Sequence, residues 1–242
     1  MENRKSPTLG NGKICYIEIP AISIEASAAF YREIFGWSIR TRSNGSIAFD
    51  DGINEVSGTW VLGRKAATEP GLLVSIMVDN IEETINALEA NGSRIVNRIS
   101  MGDTEFIAWF TDPAGNVIGL YQHPGGGNGK ICYLEIPAGD INKSSNFYKA
   151  VFDWPLRDKG TENVAFDDGV GVVSGMWTLG RKPSPEPGLL VYVMMDSVAA
   201  TTEAVIANGG KIVQPIGMDA PEITARFSDP FGNVLGLYQN PE

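Results

Sequence analysis

The chain repeats itself. GNGKICYIEIPA at residue 10 returns as GNGKICYLEIPA at residue 127, and FDDG at 49 returns at 166. LGRK at 62 returns at 179, EPGLLV at 69 returns at 186, and DPAGNVIGLYQ at 112 returns as DPFGNVLGLYQ at 229. Every pair stands 117 positions apart, so the copies align without a gap. A fold for this chain must accept each structural element twice. A repeat of this length is domain-sized and indicates tandem duplication, not a solenoid of short units. Two homologous domains are therefore expected, over 10–124 and 127–242, with the boundary in the flexible run at Gly125-Gly126-Gly127.

Within a copy, the element order is itself doubled. An apolar strand over Lys13–Ile19 ends at Pro20. A helix follows from Ile24 to Phe35, with Ser23 as its N-cap candidate (Asp140 in the second copy) and Gly36 as its stop. Short strands around Ile47–Phe49 and Val56–Leu62 flank the turn at Asp50-Asp51-Gly52. The pattern restarts with a strand over Leu72–Val78, a helix from Ile81 to Ala90 capped by Asp79 or Asn80, and the stop Asn91-Gly92. Strands over Arg94–Ile99, Phe106–Thr111 and Val117–Gln122 close it. Each copy reads as two βαβββ modules, an α+β class, and the chain as four.

Composition removes several functions. The formal net charge of -10 repels nucleic acid and anionic lipid, so neither is an expected partner. No apolar run nears the roughly 18 residues that span a bilayer. The first residues lack the apolar core of a secretory signal, and two cysteines make no disulfide framework, so a cytoplasmic setting is expected. A single histidine, His123, precludes a facial triad of two histidines and one carboxylate. It is expected as an exposed side chain after the last strand. No Ser-His-Asp or Cys-His pair suggests itself, and Cys15 and Cys132, mid-strand among apolar residues, read as inert buried thiols. The catalytic residues, if any, are unassigned.

Three segments carry a family resemblance: Glu18–Trp37, Leu72–Gly92 and Trp109–Gln122, each recurring in the second copy. They resemble the vicinal oxygen chelate superfamily, which includes glyoxalase I, bleomycin-resistance proteins and extradiol dioxygenases. The resemblance implies paired βαβββ modules forming an open, curved sheet with an apolar concave side, where metal-dependent members hold a divalent ion. The matching positions are Tyr16 and Tyr133 on the first strand, Leu73 and Leu190 on the LLV strand, and Gly119 and Gly236 on the last strand. None supplies an ordinary metal ligand, so neither metal nor cofactor is expected.

Alternate residues of a strand share a face. If Tyr16 points into the concavity, Glu18 does too, with Cys15, Ile17 and Ile19 turned to the helices. The same parity turns Leu73, Ser75, Met77, Gly119 and Tyr121 inward. The expected ligand-binding set is Tyr16, Glu18, Trp60, Leu73, Ser75, Trp109 and Tyr121, with Tyr133, Glu135, Trp177, Leu190, Tyr192, Arg226 and Tyr238 from the second copy. The side taken by Trp60 and Trp177 is open. Glu18 and Glu135 would serve either as bases or as structural carboxylates bonded to arginine or backbone N–H, and the LGRK turns read as solvated. Two substitutions between the copies, Ser75 to Tyr192 and Trp109 to Arg226, imply unequal sites. Arg226 is expected beside Glu135 or holding an anion from solution, and Glu18 beside Trp109. The leading function is binding of a small apolar or aromatic molecule. The alternatives are a glyoxalase-like lyase or isomerase and an interaction module with filled concavities, and a homodimer is left open.

Overall fold

A computed structural model describes residues 6–69, 71–100, 105–124, 127–158, 164–186 and 188–240. The linker glycines Gly125 and Gly126 lie outside them. The first repeat runs β1 (Ile14–Ala21), α1 (Ile24–Phe35), β2 (Ser38–Thr41), β3 (Ile47–Asp50), β4 (Ser57–Leu62), then β5 (Leu73–Met77), α2 (Ile81–Ala90), β6 (Ile95–Ser100), β7 (Phe106–Thr111) and β8 (Val117–Gln122). The second runs β9 (Ile131–Ala138), α3 (Ile141–Phe152), β10 (Leu156–Asp158), β11 (Val164–Asp167), β12 (Ser174–Leu179), then β13 (Leu190–Met194), α4 (Val198–Ala207), β14 (Lys211–Gln214), β15 (Ile223–Ser228) and β16 (Val234–Gln239). This is the expected α+β architecture of four βαβββ modules in two open, curved sheets. The sequence pattern does not locate β2, a short strand with two exposed residues at a sheet edge.

The helices start and stop where side chains satisfy their free ends. Ser23 accepts from the Ala26 amide at 3.2 Å, and Asn80 accepts from Glu82 and Glu83. Gly36 ends α1 at φ 66°, a left-handed geometry that glycine adopts without strain.

Each sheet takes one module from each repeat. The first has the order β14-β15-β16-β13-β1-β4-β3-β2, and the second β10-β11-β12-β9-β5-β8-β7-β6. They are called sheets one and two below. Their central seams are antiparallel, β1 against β13 and β5 against β9. Matched bonds tie the repeats together between the two sheets. The Trp37 indole donates to the Gly129 carbonyl at 2.7 Å, and the Trp154 indole to that of Gly12 at 2.7 Å. Asp51 accepts from the Ile131 amide and Asp168 from the Ile14 amide. At Gly52, a Cβ would stand 2.2 Å from the Asn128 carbonyl oxygen, so the close crossing there requires glycine.

Modules within a repeat meet through buried polar bonds instead. Tyr31 donates to Asp112 at 3.0 Å, and Asn116 Nδ2 donates to the Pro20 carbonyl at 2.7 Å. Tyr148, Asp229, Asn233 and Pro137 repeat the pattern. One apolar core contains residues of all four helices and both sheets, with Trp37 stacked on Tyr31 and Phe49 at its centre. The opposite, concave faces of the sheets are left for other use.

Candidate functional site

Register aligns one row of residues across each concave face. On sheet one, β1 Tyr16 pairs with β13 Tyr192, which pairs with β16 Gly236, which pairs with β15 Arg226. On sheet two the corresponding row is Tyr133, Ser75, Gly119 and Trp109. The next row places Glu18 beside Leu190 and Glu135 beside Leu73. Ile17, Ile19, Val74 and Ile76 belong to the core, so their neighbours Tyr16, Glu18, Leu73 and Ser75 face the concavity.

On sheet one the face is crowded and charged. Glu18 Oε2 accepts from Arg64 Nη2, and Glu18 Oε1 accepts from the Tyr192 hydroxyl at 3.1 Å. Arg226 Nη2 donates to the Tyr192 oxygen at 3.2 Å and lies 3.8 Å from Glu18 Oε2. Arg42 Nη2 donates to the Tyr16 hydroxyl at 2.5 Å. The rings of Tyr16 and Tyr192 meet edge to face at 5.9 Å. Burial pushes both phenols above their ordinary pKa, so they are neutral oxygens at pH 7. The Tyr192 ring lies over Gly236, where a Cβ would stand 2.2 Å from it. Leu190 is fully buried with Met194 and Val234, and Tyr238 packs partly exposed on that group.

On sheet two the concave face carries a Glu–Arg pair within an aromatic wall. Arg181 Nη2 donates to Glu135 Oε2 at 2.5 Å, and its guanidinium carbon stands 5.7 Å from the Trp109 ring centroid. Tyr121 lies 6.3 Å from Tyr133 and 6.0 Å from His123. Burial, with Glu135 nearby, raises Tyr133 to about 12. Ser75 is small, and it stands nearest over Gly119. His123 is half-exposed at the rim, 3.4 Å from Glu105.

Several expectations are corrected. Trp60 and Trp177 do not face the concavities; they are buried in the core against Tyr31 and Phe49, and against Tyr148 and Phe166. Arg226 meets Glu18, not Glu135, and Trp109 stands with Glu135 and Arg181, not with Glu18, because each sheet joins modules of different repeats. Cys15 packs with Tyr192 and Met194 on the concave side of sheet one, because the β1–β13 register shifts between Ile14 and Tyr16 and breaks the alternation. Burial raises both thiols to about 12, so they carry no thiolate at neutral pH. The LGRK turns are not merely solvated, since Arg64 and Arg181 reach inward to the two glutamates. Their signal was available: Glu18 with Arg64 and Glu135 with Arg181 recur as pairs at one offset.

A divalent metal does not fit this donor set. At the matched positions, the Tyr16 oxygen already accepts from Arg42, Leu190 has no donor atom, and Gly236 lies under a ring. Guanidiniums surrounding Glu18 repel a cation. Among the described residues no group of three His, Cys, Asp or Glu side chains stands together as a ligand set. Both glutamates are held by arginine, the arrangement of a structural carboxylate.

No helix among the described residues is long and apolar enough to cross a membrane. In comparison with known proteins, a glyoxylase-like domain-containing protein of Didymella fabae is 29% identical over 129 residues, 47% of this chain and 96% of its own length. The crystal structure of glyoxalase I from Zea mays superposes with a TM-score of 0.74 at 18% identity, covering 94% of this chain and 92% of that one, a likeness of fold. The sequence model of the Glyoxalase/Bleomycin resistance protein/Dioxygenase superfamily matches twice, over residues 13–120 and 130–237, and with the four-module fold already described, the chain belongs to that superfamily.

Proposed function

We propose that this protein binds small organic molecules on its concave faces without a metal, and that sheet two takes an apolar or aromatic one. The observation that carries this is the exchange of Tyr192 for Ser75 at matched register positions. A phenol that fills one face is replaced on the other by a hydroxymethyl group. Trp109, Tyr121 and Tyr133 then stand as walls around Ser75, Leu73 and Met77. Such a concave, aromatic-lined surface with a few polar groups is the usual composition of a ligand site. A planar ligand against these rings gains about 0.5–1.5 kcal/mol per aromatic contact beyond its area burial.

The lyase or isomerase reading needs Glu18 or Glu135 free to take a proton. Each is instead engaged by a guanidinium, which occupies a carboxylate oxygen that a base would have to offer to a substrate proton. A reducing, cytoplasmic setting is part of the same proposal, since both cysteines are free and buried. The test is titration with 2-naphthol, followed by calorimetry and thermal shift. Saturable binding to wild type, weakened at least about tenfold in Trp109→Ala, is expected; a tenfold loss is about 1.4 kcal/mol. If no neutral aromatic binds, the concavities are filled surfaces and the interaction-module reading replaces this one.

A further inference from the structure

On sheet one, cations outnumber close anions. Arg64 has Glu18 as its partner. Arg42 donates to the neutral Tyr16 phenol, with its guanidinium carbon 5.4 Å from that ring's centroid, and it also acts on the Tyr238 phenol. Among the described residues, Arg226 hydrogen-bonds only the neutral Tyr192 phenol, at 3.2 Å, and stays 3.8 Å from the carboxylate that Arg64 already holds. Arg226 Nε and Arg64 Nη1 are buried without a hydrogen-bond partner. Guanidiniums are permanently charged, and leaving their donors unpaired away from water is costly.

Two other carboxylates come near. Asp219 acts electrostatically on Arg226, and Glu222 on Tyr238. Both side chains sit on an exposed segment. Asp219 also already accepts from Thr224 Oγ1 at 2.6 Å and Gln214 Nε2 at 2.8 Å. Solvent screens both, so they do not replace a close partner for Arg226. The same face carries the rings of Tyr16, Tyr192 and Tyr238. Guanidinium donors beside phenol rings match a ligand that joins a planar anion to an aromatic ring.

We propose that the concave face of sheet one binds a small aromatic carboxylate, its carboxylate held by Arg226, its ring against Tyr16 and Tyr238, and Arg42 adding a second positive charge. This rests on the reading of the concave faces as ligand sites. It assigns the two faces opposite preferences, an anion on sheet one and a neutral molecule on sheet two.

The experiment compares benzoate, benzamide and 2-naphthol by calorimetry on wild type, Arg226→Gln and Arg226→Lys, each checked for folding by circular dichroism. Benzoate is expected to bind wild type more tightly than benzamide, and Arg226→Gln to weaken benzoate about tenfold, the worth of one charge-assisted bond. Benzamide and 2-naphthol should hold their affinities in that variant. Arg226→Lys keeps the charge and should keep the preference for benzoate. If benzoate and benzamide bind alike, or Arg226→Gln leaves benzoate unchanged, the proposal is overturned while 2-naphthol binding upholds the broader reading. If no aromatic of any charge binds, both fall together.

Discussion

The two concave faces are built from corresponding strands in the same register, yet they are furnished differently. Sheet one sets Tyr192 and Arg226 around Glu18; sheet two sets Ser75 and Trp109 around Glu135. The shared part is the Glu–Arg pair, present on both faces. That pair spans the first strand of a module and the loop after its fourth, so it serves the module itself. The differing residues lie across the seam, on modules contributed by the other repeat. Exchange of modules therefore lets each repeat keep a constant Glu–Arg pair while the partner module varies the side chains opposite it. Substitution at two positions of one register row, Tyr192 for Ser75 and Arg226 for Trp109, is enough to furnish the two faces differently.

The most severe way to break this comparison is Tyr192→Ser, which gives sheet one the residue of sheet two. Tyr192 is almost fully buried, and its hydroxyl links Glu18 to Arg226. Removing a buried aromatic side chain costs about 4 kcal/mol, read as a lower midpoint of chemical denaturation. The same variant should gain affinity for neutral aromatics on sheet one. An unchanged midpoint would mean that the ring contributes no packing, and the contrast between a filled and an open face would be lost.

A smaller effect sharpens the comparison at its shared element. Glu18→Gln leaves Arg64 and Arg226 without a carboxylate between them, and it costs about 3 kcal/mol because breaking a largely buried ion pair strands its partner. Glu135→Gln strands only Arg181, so it should cost less than Glu18→Gln. The order of the two denaturation midpoints is the measurement. Equal losses would show that Arg226 takes no part in holding Glu18.

Much of this architecture is legible in the amino-acid order, and the failures have physical causes. The fixed offset and the doubled strand–helix pattern specify four βαβββ modules. Strand parity turns Tyr16, Glu18, Ser75, Trp109 and Arg226 to one side because the flanking residues are apolar and continuous. Which modules pair is not written locally. β1 and β9 have nearly the same sequence, and either could lie antiparallel to β5 or β13 by pattern alone. The error of placing Arg226 beside Glu135 follows directly. Trp60 and Trp177 share strands with residues of both faces, and an aromatic side chain suits either. Parity failed at Cys15 because a register shift is a property of two strands together. Arg64 was missed because a long, flexible side chain at a polar turn gives no sign of where its head ends.

The smallest effect separates the repeats by pH. In the first repeat Lys13 Nζ meets Glu55 Oε2 at 2.8 Å, with the Thr8 amide donating to the same oxygen at 2.8 Å. Val172 stands at the matching place in the second repeat. Burial alone would raise the Glu55 pKa, but the Lys13 and Thr8 bonds prevail and hold it below the ordinary glutamate value. Its stabilisation is therefore complete above that ordinary value and is lost as pH falls through the depressed folded value. Asp51 and Asp168 occur in both repeats, and burial raises each above the ordinary aspartate value despite their backbone N–H bonds. Their contribution has the opposite sign. It is complete below the ordinary aspartate value and is lost as pH rises through the raised folded value. Urea midpoints measured downward from pH 7 should first rise as the matched aspartates protonate, and then fall as Glu55 does. Glu55→Gln should abolish the pH-dependent fall contributed by residue 55 and leave the rise, since the aspartates are untouched. A midpoint that declines steadily from pH 7, or an acid fall identical in Glu55→Gln, would contradict an ion pair confined to one repeat.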